Sequence, residues 1–271
     1  VTATIDQDDW SSLKRRLELP GGRQFAYIDR GEGPVLLLLH GYSDSSRSFS
    51  LLAPCLTGHR LIIPDLAGHG ASGLGAGATV ADFARDIDCL AERLALKDFV
   101  VIGHSMGAMT AVMLAALRPD LVRALVLLSG SLQPGLGATH PTARAIRALK
   151  DPLCQDHPFF DVWHACSSPV DGTFLAHMRK EAAQISTQTW QAILDGLAAT
   201  DLCASARSLR LPVLAIGGSE DPLFDAGHRR LLADSIGSAR SITLDGHGHN
   251  PHWESPAQVA DQILAFLSAE I

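Results

Sequence analysis

The sequence predicts an α/β fold: a doubly wound, mostly parallel sheet with a helical cap inserted after the sixth strand. Three observations predict it. Unbroken apolar runs such as Val35-Leu36-Leu37-Leu38-Leu39 suit strands buried on both faces, as parallel sheets require. These runs alternate with segments of helical apolar period, which implies right-handed crossovers. One run, Val100-Val101-Ile102, ends in Gly103-His104-Ser105-Met106-Gly107 and passes at once into a helical pattern. That is the strand–turn–helix setting in which a G-x-S-x-G pentapeptide has chemical meaning.

Taken in order, Val1 to Asp6 reads as a loose, acidic leader with no basic or apolar signal region, and a signal removed before it stays open. Leu13 to Leu19 and Gln24 to Asp29 read as two short strands joined by Pro20-Gly21-Gly22. Val35 to Leu39 is the third strand. It empties into Gly41-Tyr42-Ser43-Asp44-Ser45-Ser46, where Ser43 and Asp44 are expected to cap a short helix carrying Phe49, Leu51 and Leu52, with hydrogen bonding to substrate as the alternative. His59 to Pro64 is the fourth strand, followed by the loop Asp65 to Gly70. A helix is expected from Thr79 to Leu96, with Val80, Phe83, Ile87, Leu90 and Leu94 inward and Asp82, Arg85, Asp86 and Glu92 in water. The fifth strand leads to Ser105, and the next helix stops near Arg118-Pro119. Val122 to Ser129 is the sixth strand.

The pattern then changes. Residues 134–200 show no buried strand. They hold candidate helices at Pro141–Lys150, Gly172–Ala183 and Thr187–Ala199 and many of the large apolar side chains. This stretch reads as the cap over the carboxyl edge of the sheet, set between core segments 1–133 and 201–271. Its Phe159, Trp163, Met178 and Trp190 are candidates for substrate contact; the alternative is that they are ordinary core. Alternation resumes with a strand at Pro212–Ile216, a helix at Ala226–Ile236, a strand at Arg240–Leu244 and a closing helix from Ser255.

The totals allow one large α/β domain or two small ones. The chain has 271 residues, 46% hydrophobic and 19% charged, enough to build a sizeable core. Net charge is −7 and Lys and Arg form no cluster, which excludes a nucleic-acid or anionic-membrane partner as the expectation. No apolar run is long enough to span a bilayer. Five widely spaced cysteines without a Cys-x-x-Cys pair suggest buried free thiols and a cytoplasmic location.

A serine hydroxyl needs a base to take its proton, and the base needs a carboxylate to orient it. In an open α/β sheet both belong on loops at the carboxyl ends of strands. Asp221 follows the strand ending at Ile216, and His249 follows the strand ending at Leu244. The order Ser105, Asp221, His249 is the serine–acid–histidine order of a nucleophile-elbow fold.

Five segments together carry a family resemblance: His40-Gly41-Tyr42-Ser43-Asp44, Pro64 to Ser72, Gly103 to Gly107, Glu220-Asp221-Pro222, and Gly248 to Pro256. The chain resembles the α/β-hydrolase-fold enzymes, in the branch of capped esterases and lactonases. The resemblance implies Ser105 as nucleophile, Asp221 as acid and His249 as base. It implies an oxyanion hole from the backbone N–H groups of Tyr42 and Met106. It makes His69 a loop hydrogen-bonder, with His40 packed beneath the oxyanion loop. Glu220 and Asp225 are rival carboxylates, but Asp221 precedes Pro222 as in the family, and Asp225 suits a helix cap. His247 is a rival base, set aside by the Gly-His-x-Pro-His-x-Glu pattern. The cluster His247, His249 and His252 has a metal site as its alternative, which lacks supporting carboxylate or cysteine spacing.

The function expected is cofactor-free hydrolysis of a carboxylic ester or lactone of a medium-sized hydrophobic substrate, through an acyl-enzyme on Ser105. A carbon–carbon hydrolase, amidase or perhydrolase with the same triad is the alternative within the class. A non-catalytic small-molecule receptor is the alternative outside it.

Overall fold

The structure, a computed structural model, describes residues 6–271. The expected leader therefore lies, except for Asp6, outside the described residues. A 3-10 turn at Trp10–Leu13 precedes β1 (Arg15–Leu19), which pairs antiparallel with β2 (Arg23–Arg30). β2 pairs antiparallel with β4 (Arg60–Pro64). Every other pairing is parallel: β3 (Val35–Leu39) lies between β4 and β5 (Phe99–His104), and β6 (Val122–Leu128), β7 (Val213–Gly218) and β8 (Ala239–Leu244) follow outward. The eight strands form one sheet in the order β1-β2-β4-β3-β5-β6-β7-β8.

The unbroken apolar runs are explained by what covers each face. Leu36 and Leu38 of β3, Val100 and Ile102 of β5, and Val126 and Leu128 of β6 point into one core. There they meet Phe49, Leu52 and the helix α10 (Pro256–Glu270), through Val259, Ile263 and Phe266. Their neighbours Leu37, Leu39, Val101, Leu125 and Leu127 point the other way. They meet α1 (Val80–Arg93) and α2 (Met106–Leu117). Alternation of period two is present, but with both faces buried it leaves no polar mark in the sequence.

α1 begins at a capping box in which the Thr79 hydroxyl accepts from the Asp82 N–H and the Asp82 carboxylate accepts from the Thr79 N–H. Asp86, expected in water, is buried instead and accepts two hydrogen bonds from the Arg23 guanidinium of β2. The helix expected near Phe49 is two 3-10 turns, Ser46–Phe49 and Ala53–Cys55, with Pro54 at the start of the second. Its cap is Ser45, whose Oγ accepts from the Arg47 N–H, rather than Ser43 or Asp44.

Between β6 and β7 lie only helices: α3 (Pro141–Arg147), α4 (Phe159–Trp163), α5 (Gly172–Ala183), α6 (Thr187–Ala198) and α7 (Cys203–Ser208). α4 and α7 were not among the expected helices; each is under two turns, too short to display a helical period. α3 packs on α6, whereas α7 packs on α2 and on α8 (Ala226–Ser235). The excursion is tied to the loop after β3 by buried polar contacts. Arg47, 2% exposed, donates from Nε to Glu181 of α5 at 2.7 Å, and the Ser45 hydroxyl also donates to Glu181. The Tyr42 hydroxyl donates to the Trp190 carbonyl, and Trp163 Nε1 donates to Ser43 Oγ at 2.8 Å. The short helix α9 (Pro251–Glu254) closes the sequence of helices before α10.

The five cysteines are free, but only Cys203 is buried; Cys154 is exposed and the others are half-buried. Among the described residues no helix is long and apolar enough to cross a membrane.

Candidate active site

Ser105 sits at the tip of the turn between β5 and α2 with φ 52° and ψ −113°, a backbone that L side chains rarely adopt. The turn holds because its neighbours leave no room for anything larger than glycine. A Cβ on Gly103 would lie 2.3 Å from the Gly107 carbonyl oxygen, and one on Gly107 would lie 2.0 Å from that of Leu39. The Ser105 N–H is fixed to the Leu128 carbonyl at 2.9 Å, so β6 anchors the turn from the side.

β7 and β8 deliver the other two groups. The loop after β7 carries Asp221, whose Oδ1 accepts from the N–H groups of Leu223 and Phe224 at 2.8 and 3.0 Å. Its Oδ2 faces His249 Nδ1 at 2.8 Å. A carboxylate oxygen only accepts, so Nδ1 carries the proton and donates. The neutral ring then leaves Nε2 bare, and the Ser105 hydroxyl donates to it at 2.9 Å. Burial opposes ionisation of Asp221, yet His249 and the two N–H groups hold its carboxyl below the ordinary value. The line from serine to imidazole to ionised carboxylate is continuous.

The rivals lie elsewhere. Glu220 is exposed. Asp225 caps α8, accepting from Gly227 and His228. His247 is held between the Asp245 carbonyl and Ser255 Oγ. Among the described residues no group of three His, Cys, Asp or Glu side chains is arranged to hold a metal ion. The Glu254 carboxylate accepts from Gly248 N–H and so ties the His249 loop to α9.

The loop after β3 passes close by. His40 Nε2 accepts from Leu66 N–H, and His69 Nε2 accepts from Ser43 N–H at 3.2 Å. Burial pushes His69 down to about 3, so it is a neutral acceptor. Among the described residues, the N–H groups of Tyr42 and Met106 donate to no protein acceptor. The Met106 N–H opens α2, where unpaired donors and the positive end of the helix favour an anion.

A cavity of about 510 Å³ opens onto Ser105 and His249. Its walls are mostly apolar, from Met109, Leu149, Phe159, Trp163, Leu197 and Phe224 among others. Two of the four side chains suggested as substrate contacts, Phe159 and Trp163, line it, stacked at 5.4 Å. The other two do not. Trp190 is fully buried behind Tyr42 and Trp163, and Met178 is fully buried against Phe174 and Trp253. Both are apolar and in the right segment, but they fill the joint beneath the cavity. Sequence reasoning missed Phe224, which packs on the His249 ring at 5.3 Å. Its position three residues after Asp221 was the available signal.

A family profile described as alpha/beta hydrolase fold matches residues 34–256. A relative from Acinetobacter baylyi, (E)-2-((N-methylformamido)methylene)succinate hydrolase, is 24% identical over 264 residues, 94% of this chain and 98% of that one. An esterase from Exiguobacterium antarcticum superposes with a TM-score of 0.82 at 17% identity, covering 93% of this chain and 98% of its own. The enol-lactonase from Burkholderia xenovorans LB400 does so with a TM-score of 0.81 at 22% identity, covering 94% and 100%. At these identities the two structures speak to the fold.

Proposed function

Because the chain belongs to the alpha/beta hydrolase fold family, we propose that it is a serine hydrolase of carboxylic esters or lactones, with Ser105, His249 and Asp221 as its triad. One observation carries the reading: Ser105 Oγ, the His249 ring and Asp221 stand in unbroken hydrogen-bond contact at the floor of an apolar cavity.

The chemistry follows from the proton positions. Ser105 Oγ attacks the substrate carbonyl while its proton passes to His249 Nε2. Asp221 stabilises the imidazolium without taking its proton. The oxyanion lies against the N–H groups of Met106 and Tyr42, each such donor being worth roughly 10²–10³ in turnover. His249 returns the proton to the leaving alkoxide, and an acyl group stays on Ser105. A water molecule then gives its proton to Nε2 and its oxygen to the acyl carbon; the bond from that carbon to Ser105 Oγ breaks, Nε2 returns the proton to Oγ, and the acid is freed. In a lactone the alkoxide remains attached to the acyl chain, and the product is a hydroxy acid. No step calls for a cofactor. Residues 134–200 act as the cap, and an apolar wall with Phe159 and Trp163 suits a medium-sized hydrophobic substrate. The esterase and enol-lactonase of similar fold, and the hydrolase relative, agree with this class of reaction.

The test is hydrolysis of p-nitrophenyl hexanoate and of a medium-ring lactone, with Ser105→Ala as control. Turnover should drop by about 10⁴-fold or more in the variant, and a fluorophosphonate should label Ser105. Full activity in Ser105→Ala refutes the mechanism. No turnover of any ester, lactone or amide, with tight small-molecule binding, identifies a receptor instead.

A further inference from the structure

Among the polar side chains of this cavity that the mechanism leaves unused are Asp44, His104 and His164. All are buried, at 4%, 2% and 3% exposure. Their hydrogen bonding is incomplete in a specific way. His104 Nε2 lies 3.0 Å from the His249 carbonyl oxygen and must carry a proton to donate there. Burial pushes this imidazole down, against the pull of Asp44, so the ring is neutral and its Nδ1 is a bare acceptor. That Nδ1 faces Asp44 Oδ2 at 3.7 Å and has no hydrogen-bond partner. At that distance no hydrogen bond joins the two groups, and His104 Nδ1 is left without a partner.

Asp44 itself is under-supplied. Its carboxyl lies below the ordinary value, burial opposing its ionisation and the pull between it and His104 favouring it. Its Oδ2 accepts from the Ser48 hydroxyl at 3.0 Å. Among the described residues no donor reaches its Oδ1, and no Lys or Arg pairs with it. His164 completes the set. It stacks on Phe160 at 5.5 Å, and neither of its ring nitrogens has a partner. Burial brings it down to about 4, so it offers one N–H and one bare nitrogen. His164 and His104 flank the same indole, Trp253, with ring centroids 6.0 and 6.5 Å away.

Buried polar atoms normally find partners, and leaving one without costs as much as a lost hydrogen bond or more. The complementary group must donate toward Asp44 and His104 and accept from His164. A hydroxyl does both. An ammonium can only donate and leaves the His164 N–H without an acceptor, a carboxylate sets a second negative charge beside Asp44, and a hydrocarbon leaves both imidazoles unpaired. We propose that Asp44, His104 and His164 form a hydroxyl-recognition subsite, so that the substrate is an ester or lactone bearing an alcohol group on the part held in the cavity. The subsite rests on the hydrolase reading for its substrate class. It stands apart from the triad in its residues.

The experiment compares p-nitrophenyl hexanoate with its hydroxyhexanoate counterparts, hydroxylated next to the carbonyl, one carbon further, or at the chain end. The p-nitrophenyl monoester of adipic acid supplies the carboxylated member. The best hydroxylated ester should exceed hexanoate in kcat/KM by roughly tenfold or more, as a hydrogen bond to a charged group provides. The carboxylated ester should fall below hexanoate. In Asp44→Asn the hydroxyl preference should shrink severalfold and the carboxylate penalty with it, and His164→Phe should lower the preference as well. Ratios of two substrates on one variant cancel any loss of folded protein. Hydroxylated esters at or below hexanoate mean that water alone satisfies these groups, and overturn the proposal. So does a preference that neither substitution moves. If no ester turns over, the hydrolase reading fails by itself, and the subsite is judged by calorimetric binding of ethyl hydroxyhexanoates and ethyl hexanoate to Ser105→Ala protein. Tighter binding of a hydroxylated ester supports it; equal affinity sinks it.

Discussion

The cavity has two walls of different origin. One is made by loops at the carboxyl ends of β3, β5, β7 and β8. Each side chain there is set by hydrogen bonds or backbone: Ser105 by a tight turn that only Gly103 and Gly107 permit, Asp221 by two N–H groups of its own loop, His249 by the Asp221 carboxylate. The other wall is made by α4, α6 and the residues that follow α3, whose Phe159, Trp163, Leu197 and Leu149 pack in one apolar cluster with Tyr42. The difference is one of tolerance. A hydrogen-bonded line of three groups fails when one is moved by an ångström. An apolar wall accepts many side chains of similar volume. In the proposed function the loop wall therefore carries the chemistry, and the helical wall selectivity and support.

Three perturbations test that division. The largest effect belongs to the loop wall. Asp221→Asn keeps the shape of the loop but holds His249 in the wrong tautomer, and kcat on an ester should fall by about 10⁴ while the circular dichroism spectrum is unchanged. A loss below tenfold would mean that the carboxylate is not orienting the base.

Next come two tryptophans of the excursion, which should separate support from selectivity. Trp190 is fully buried and touches Tyr42, Phe159 and Trp163. Trp190→Ala should cost about 3–5 kcal/mol in urea unfolding. Trp163 is half-buried and faces the cavity, so Trp163→Ala should cost clearly less stability but raise KM severalfold for longer acyl chains. Equal effects of the two on both measurements would erase the distinction between lining and support.

The smallest effect is graded by pH. His69, beneath the loop wall, is held down to about 3, and His164, on the helical side, to about 4, both chiefly by burial. In the unfolded chain each takes a proton near its ordinary value of about 6.5. Below that value the unfolded state binds more protons, so stability is fully present above about 6.5 and is lost as the pH falls toward the folded values. The pair should remove ~3 kcal/mol between about pH 7.5 and about pH 5.5, measured by urea unfolding. His164→Phe should flatten part of that slope. A stability that is level across this range would mean that both rings are charged in the fold.

Much of the loop wall was readable in the sequence for the reason it tolerates little. A turn that demands glycine on both sides of Ser105, or an aspartate at a strand end ahead of a proline, restricts residue type at known spacings. The central strands were readable because runs such as Val35 to Leu39 and Ala124 to Leu128 have no polar interruption. The short elements were not: α4 and α7 are too brief to repeat a helical period, and the segment near Phe49 has 3-10 turns where a helix was expected. Asp86 escaped because its partner Arg23 comes from a strand 63 positions away.

The sequence by itself determined the order of strands and helices, the site of the serine turn, and the residue types that can move a proton there. Those follow from local rules, since backbone sterics and burial periodicity act over a few neighbouring residues. Only the tertiary structure decided which aromatic side chains face the cavity and which lie behind it, so that Trp163 lines the space and Trp190 props it. It also decided that Asp44, His104 and His164, drawn from three separate segments, share one buried polar corner. Apolar bulk and a lone imidazole look the same along the chain whether they face a ligand or a neighbour. The direction each one faces is set by contacts between segments distant in sequence, and no local pattern encodes those.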